Sequence, residues 1–131
     1  MDSLDHIGIA VASLEEGLTS FVEKLRFHHE EIEEVPTEKV RVAIFGHGLG
    51  RVELVCPTDP ESPLARRIQE KGEGLHHVCL AVPDIQKAMD ALQAGGAPLL
   101  DKVPRTGAGG SRVAFVHPRG SRGVLVELKQ S

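Results

Sequence analysis

Two histidines and two glutamates carry the chemistry open to this chain. His6 lies in LDHIGIAV, and His77 lies in LHHVCLAV, 71 residues further on. Glu53 lies in RVEL and Glu127 in LVEL, 74 residues apart. Both glutamates sit mid-segment between branched apolar neighbours, where a carboxylate is costly unless it takes up a proton or binds a metal. Two imidazoles with two carboxylates suit a borderline or hard divalent ion such as Zn, Ni, Co, Mn or Fe, with room for water or substrate in an octahedral shell. A lone strand histidine is more often a core residue, and a lone strand glutamate more often faces solvent. Duplication of both at matched positions argues for one divalent metal site made of His6, Glu53, His77 and Glu127.

The matching comes from an internal repeat. The offset of 71 that places LDHIGIAV on LHHVCLAV also places RVAIF at 41–45 on RVAFV at 112–116. RVEL and LVEL align if the second copy carries three extra residues. Each copy has about 65 residues, short for an independent domain, so the two should share a core. The chain therefore reads as a single domain, 1–131, of two modules, about 1–70 and 71–131, that meet in the polar turn Glu70-Lys71-Gly72-Glu73-Gly74. Equivalent positions of two copied units are related by a pseudo-twofold axis, and matched inward-facing polar residues converge near it.

The elements that must position these residues follow the order βαβββ twice, an α+β fold. From Leu4 to Val11, alternation puts His6, Gly8 and Ala10 on one strand face and Ile7, Ile9 and Val11 on the other. Ser13 is a helix N-cap, and Leu14, Leu18, Phe21, Val22 and Leu25 follow helical spacing. Strands are expected at Val40–Phe45 and Arg51–Val55 around the glycine turn Gly46–Gly50, then a short helix at Leu64–Glu70. The second copy predicts a strand at Leu75–Val82 and an Asp84-capped helix to about Ala94 with Ile85, Ala88, Met89 and Leu92 inward. It continues with a short edge strand at Leu99–Leu100 and strands at Arg112–Val116 and Val124–Leu128. Strand alternation allows only one of His76 and His77 to share the face used by His6; the repeat selects His77 and aligns His76 with Asp5. Gly8, Ala10, Cys79 and Ala81 are small, which leaves space for a ligand above the metal or lets helices pack closely. His28, His29, His47 and His117 fall in turns or near strand ends and read as surface residues. The loop containing Gly107, Gly109 and Gly110 can present backbone N–H groups to a phosphate or carbonyl, although it lacks the Lys-Ser/Thr of a P-loop.

Composition excludes other classes. A net charge of −4, no Lys/Arg block, no Trp, no Tyr and four Phe argue against nucleic acid. No apolar run reaches the roughly 18 residues of a membrane span, and the N-terminus does not read as a secretory leader, so a cytoplasmic protein without membrane contact is expected. Cys56 and Cys79 read as two buried, reduced thiols.

LDHIGIAV, RVELV, the loop Asp59-Pro60-Glu61-Ser62-Pro63, GEGLHHVCLAV, GAGGSRVAFVHP and GVLVEL together resemble the methylmalonyl-CoA epimerase family of the vicinal oxygen chelate superfamily, over nearly the whole chain. The resemblance implies a curved mixed sheet around a divalent metal held by His6, Glu53, His77 and Glu127, with cobalt the expected ion and Mn, Ni or Zn the alternatives. It implies a coenzyme A thioester substrate, propionate metabolism and a homodimer. It implies proton abstraction at C2 through an enolate, for which Glu127 is the expected catalytic group on one face and Glu53 on the other. Several family members carry Gln where this chain has Glu53, and a second catalytic Glu where this chain has Val42. Gly107, Gly109, Gly110 and Arg112 are candidate substrate contacts, and Lys102, Arg105, Arg112 and Arg122 are candidates for the coenzyme phosphates. The runner-up is glyoxalase I, which shares the four-ligand set but usually has an Arg where Ala10 sits. A non-enzymatic binding protein of the same fold generally lacks the ligands, and an extradiol dioxygenase needs only two His and one carboxylate.

Overall fold

The alternation in the first segment makes β1 (Ser3–Ala10), and its repeat copy makes β5 (Gly74–Ala81). The structure is a computed structural model that describes residues 3–28 and 31–131. β1 and β5 pair antiparallel at the centre of the sheet. β4 (Arg51–Pro57) runs parallel to β1, and β8 (Leu125–Gln130) runs parallel to β5. β3 (Val40–Phe45) and β2 (Glu31–Val35) extend one side, and β7 (Arg112–Val116) and β6 (Arg105–Thr106) extend the other. The order β2-β3-β4-β1-β5-β8-β7-β6 is symmetric about the β1–β5 pair, as two βαβββ units require. The mixed sheet curls until its outer edges meet: Thr37 Oγ1 donates to the Thr106 carbonyl at 2.7 Å, and the Gly109 N–H donates to Glu33 Oε2 at 2.6 Å.

Helices cover the sheet through capped starts and apolar stripes. α1 (Leu14–Leu18) begins at Ser13, whose hydroxyl accepts the Glu16 N–H. α2 (Pro63–Lys71) begins at Ser62, and α3 (Ile85–Ala94) begins at Asp84, which accepts the Lys87 N–H. Leu54 on β4 packs with Val11, Leu14, Ala43 and Phe45 beneath α1. Ile85 and Met89 of α3 pack with Val82, Ala114 and Leu128. A third cluster, Ala10, Val35, Val40, Val42, Val55 and Leu64, includes Val42, which lines the chamber described below. Among the described residues no helix is long and apolar enough to cross a membrane. Both cysteines are free thiols; Cys79 is buried, while Cys56 is half-buried rather than enclosed.

Three elements differ from the sequence reading. After α1 the backbone continues as a π-helical stretch, Thr19–Lys24, whose extra residue per turn rotates the stripe. Leu18, Phe21 and Val22 still reach the core, but Leu25 is turned out and 58% exposed. The edge strand β2 is absent from that reading because EIEEV lacks an apolar alternation; charges at an edge keep other chains from pairing with it. The strand expected at Leu99–Leu100 is reduced to one bridge, Leu99 to Val116, and the edge is β6 instead. Asp101 is the cause: its carboxylate takes the Phe115 N–H at 2.7 Å, the donor a longer neighbouring strand would need. Because Leu54 is fully buried at the centre of its cluster, Leu54→Ala is expected to cost about 2–5 kcal/mol in urea denaturation, and a loss below about 1 kcal/mol would contradict this packing.

Candidate metal centre

The pairing of β1 with β5 decides where the histidines go. His6 stands opposite Cys79, and Gly8 stands opposite His77. Because these pairs are repeat-related, the two rings lean toward the same point from opposite strands. Their Nε2 atoms lie 3.1 Å apart, and the rings meet edge to face at 5.2 Å. A Cβ on Gly8 would sit 2.1 Å from His77 Cε1 and 2.5 Å from Nδ1, so this glycine makes room for the ring of its partner strand. Of the two readings of the small residues, close packing fits Gly8 and Ala10: Ala10 is enclosed in apolar side chains, and none of Gly8, Ala10, Cys79 and Ala81 lines the three cavities described below.

The same strand pair carries two register shifts that skip Asp5 and His76, residues equivalent under the repeat. A bulge interrupts the two-residue alternation. Asp5 is therefore buried beside its neighbour, with Oδ2 2.7 Å from His6 Nδ1, 2.6 Å from Arg51 and 3.4 Å from Lys129. His76 Nδ1 lies 2.9 Å from His77 Nδ1. Each central histidine thus has the residue before it as a partner on the nitrogen facing away from the other ring. Alternation selects the right member of the His76–His77 pair, yet conceals that the rejected member orients it.

Glu127 Oε1 closes the group, 3.4 Å from His6 Nε2 and 3.2 Å from His77 Nε2. Donor atoms of His6, His77 and Glu127 all lie within 4.8 Å of one another. Glu53 approaches from the other side: its Oε2 lies 3.3 Å from His6 Nδ1 and 3.2 Å from Arg51. All four side chains belong to buried residues, at 4–6% exposure. Two imidazoles and carboxylate oxygens so placed have the donor chemistry of a divalent cation site.

The electrostatics agree. Burial alone would lower the His6 pKa, but its hydrogen bonds to Asp5 and Glu127 outweigh it and raise the ring to about 9. Burial alone would raise Asp5, yet the bond to His6 and the charges of Lys129 and Arg51 hold it at about 2. Glu127 is likewise pulled below the ordinary carboxylate range by His6 and His77 against the effect of burial. A proton on His6 therefore supplies the positive charge that this acidic cluster requires. Burial, with Glu127 and Asp5 nearby, pushes the Cys79 thiol up, away from the thiolate a metal would need. Burial, with the charges of His77 and Arg67, holds His76 down at about 4, so it is neutral.

A chamber of about 30 Å³ is lined by His6, Glu53, His77, Glu127, Glu38 and valines including Val42. It shares Glu38 and His77 with a groove of about 370 Å³ that runs past His76, Arg105 and Phe115. It shares Glu53 and Lys129 with a second groove of about 380 Å³. Of the four basic residues considered for coenzyme phosphates, Arg105 lines a groove, whereas Lys102, Arg112 and Arg122 are exposed elsewhere. The N–H groups of Gly107, Gly109 and Gly110 are directed to the Ser111 carbonyl, Glu33 and the Gly107 carbonyl. His28 and His47 are exposed, His117 is half-buried with Nδ1 accepting the Arg119 N–H, and His29 lies outside the described residues. Sequence reasoning did not single out Asp5 as a partner of His6, nor Arg51 or Glu38. The signal for Asp5 was a charged residue inside an apolar strand at the position that the repeat matches to His76.

Comparisons with known proteins show what the chain and its fold are similar to. The model of the Glyoxalase/Bleomycin resistance protein/Dioxygenase superfamily matches residues 5–115. Uncharacterized protein YqjC of Bacillus subtilis is 41% identical, over 98% of this chain and 91% of its own length. Ethylmalonyl-CoA/methylmalonyl-CoA epimerase of Cereibacter sphaeroides is 34% identical, over 97% of this chain and 96% of its own. A solved structure of Streptomyces coelicolor methylmalonyl-CoA epimerase in complex with 2-nitronate-propionyl-CoA superposes with a TM-score of 0.93 at 30% identity, covering 98% of this chain and 96% of that one.

Two outcomes follow from the centre. Gly8→Ala should force the His77 ring aside, costing about 1–3 kcal/mol of stability and weakening divalent-metal binding about tenfold or more; unchanged affinity by calorimetry would contradict the ring placement. A metal must displace the His6 proton, which is bound below about pH 9. Affinity should therefore rise with pH between 6 and 9, with proton release on binding; a flat profile with no release would contradict that linkage.

Proposed function

The chain belongs to the glyoxalase/bleomycin resistance protein/dioxygenase superfamily and, within it, to the methylmalonyl-CoA epimerases, and from that premise we propose that it interconverts the 2R and 2S epimers of methylmalonyl-CoA. The observation that carries the reading is the buried trio His6, His77 and Glu127 at a chamber that shares His77 with a groove of about 370 Å³. His6, His77 and Glu127 would hold the ion, with Glu53 as a fourth donor, and cobalt is the ion proposed. Bound there, a divalent ion supplies a Lewis acid for the negative charge that develops on the substrate oxygens.

The residues around it do the rest. Glu127 is held ionised, the state in which a carboxylate accepts the C2 proton. Asp5 fixes the orientation of His6 through Nδ1 and leaves Nε2 facing the chamber. Arg51 in turn holds both Asp5 and Glu53. Val35, Val40, Val42, Val55 and Val113 line the chamber and keep water away from the carbanion. The rest of the thioester lies in the groove beyond, where Arg105 and Lys39 are the cations at hand for the coenzyme.

The test is deuterium uptake at C2 of methylmalonyl-CoA in deuterated water, followed by NMR with cobalt-loaded protein. Uptake should be rapid, abolished by a chelator, and reduced about 10²- to 10⁴-fold by Glu127→Gln. No uptake, with isomerisation of the methylglyoxal–glutathione hemithioacetal instead, would replace this reading by a glyoxalase.

A further inference from the structure

Inverting a carbon centre requires a proton to leave one face and another to arrive on the opposite face. Glu127 serves one face, and the reaction needs a second proton-carrying group. The carboxylates lining the chamber are Glu38, Glu53 and Glu127. Glu53 is engaged by Arg51 at 3.2 Å and by His6 at 3.3 Å. Glu38 has no hydrogen bond or ion pair among the described residues, and it lines both the chamber and the groove of about 370 Å³. Resting on the epimerase reading above, we propose that Glu38 is the second acid/base, which serves the face of C2 opposite Glu127.

The chain is built to hold Glu38 there. It closes a single 3₁₀ turn, Pro36–Glu38, between β2 and β3. Pro36 sets the first dihedral, and Lys39, in the left-handed region at φ 56°, turns the chain into β3. The turn is tied on both sides: Thr37 donates to the Thr106 carbonyl at 2.7 Å, and the Lys39 carbonyl accepts the Thr58 N–H at 2.9 Å. The repeat places Gly109 at the position matching Glu38, in the turn Ala108–Gly110 before β7, and Gly110 repeats the left-handed backbone of Lys39 at φ 75°. The second copy has a glycine at the matching place, with its own left-handed backbone at φ 67°, so the chamber receives one such carboxylate, from one side of the pseudo-twofold axis. Burial, together with the charges of Glu127, Asp101 and Glu53 and opposed by Arg105, raises the Glu38 carboxyl to about 7. A group near neutrality both gives and takes protons readily.

The steps balance. In one direction Glu127 takes the C2 proton, the bonding pair passes into the thioester carbonyl, and the Glu38 carboxyl gives its proton to the other face and becomes a carboxylate. The reverse direction exchanges the roles, and solvent in the groove resets the two carboxyls.

The experiment supplies each pure epimer to cobalt-loaded protein in deuterated water and follows deuterium at C2 and inversion separately, with cobalt affinity measured by calorimetry. In Glu38→Gln, inversion should fall about 10²- to 10⁴-fold while one epimer still takes up deuterium without inverting, with cobalt affinity unchanged. Glu38→Asp, which keeps the carboxyl, should restore part of the inversion. Inversion by Glu38→Gln within about threefold of wild type would overturn the assignment, as would loss of deuterium uptake from both epimers at unchanged cobalt affinity. Should Glu38→Gln fail to take up cobalt, Glu38→Asp decides: slowed inversion with normal uptake from one epimer supports the role, and unaltered inversion overturns it. A wild-type protein that exchanges neither epimer overturns the epimerase reading and this assignment together, an outcome distinct from an active Glu38→Gln.

Discussion

The antiparallel pairing of β1 with β5 is the constraint on which the rest of the structure depends. It turns two similar segments into one centre, because a residue and its repeat copy then face the same axis from opposite sides. His6 and His77 meet at 3.1 Å only in this register. A slip of one residue between the two strands would put the two rings on opposite faces of the sheet. Gly8 makes the register possible, since the ring of His77 occupies the space a side chain would need. Each half of the sheet then adds one carboxylate beside the axis, Glu53 from β4 and Glu127 from β8.

A polar cluster so deeply buried survives because its charges are matched from one residue to the next. Arg51 and Lys129 face Asp5, Asp5 faces His6, and His6 faces Glu127. Partial satisfaction would be worse than an apolar core. The same matching biases the site toward a cation, because removal of the His6 proton takes a positive charge from beside Glu127, which no Arg or Lys among the described residues pairs with. The apolar clusters under α1 and α3 do not take part in this chemistry; they hold the two halves at the curvature that encloses the chamber.

Much of this was legible in the sequence, and the limits have physical causes. The repeat offset identified His6 with His77 and Glu53 with Glu127 because duplication carries more information than any single residue. The caps Ser13 and Asp84 sit at real helix starts, whereas Ser62, read as part of a loop, caps α2. The two bulges were not legible, since a strict two-residue period assumes a regular ladder, so Asp5 and His76 were set aside although they orient the central rings. Leu25 was misjudged because the rotation introduced by a π-helical turn leaves no trace in the spacing. β2 was missed because an edge strand rich in glutamate looks like a loop. Glu38 was invisible for a similar reason: in PTEK a glutamate looks solvent-facing, and only the curling of the sheet brings that turn over the chamber.

The identity of the atoms that take the ion decides whether this centre is the working one. A second group of donors, Asp5, His6 and Cys79, lies on the far side of His6 and competes with His6, His77 and Glu127 for that role. X-ray absorption at the metal edge of the zinc-loaded protein separates the two. An ion held by His6, His77 and Glu127 gives two imidazole nitrogens at about 2.0–2.1 Å with carboxylate oxygens at about 2.0–2.2 Å and no sulfur. A sulfur scatterer at about 2.3 Å with a single imidazole would place the ion at Cys79 and contradict that assignment.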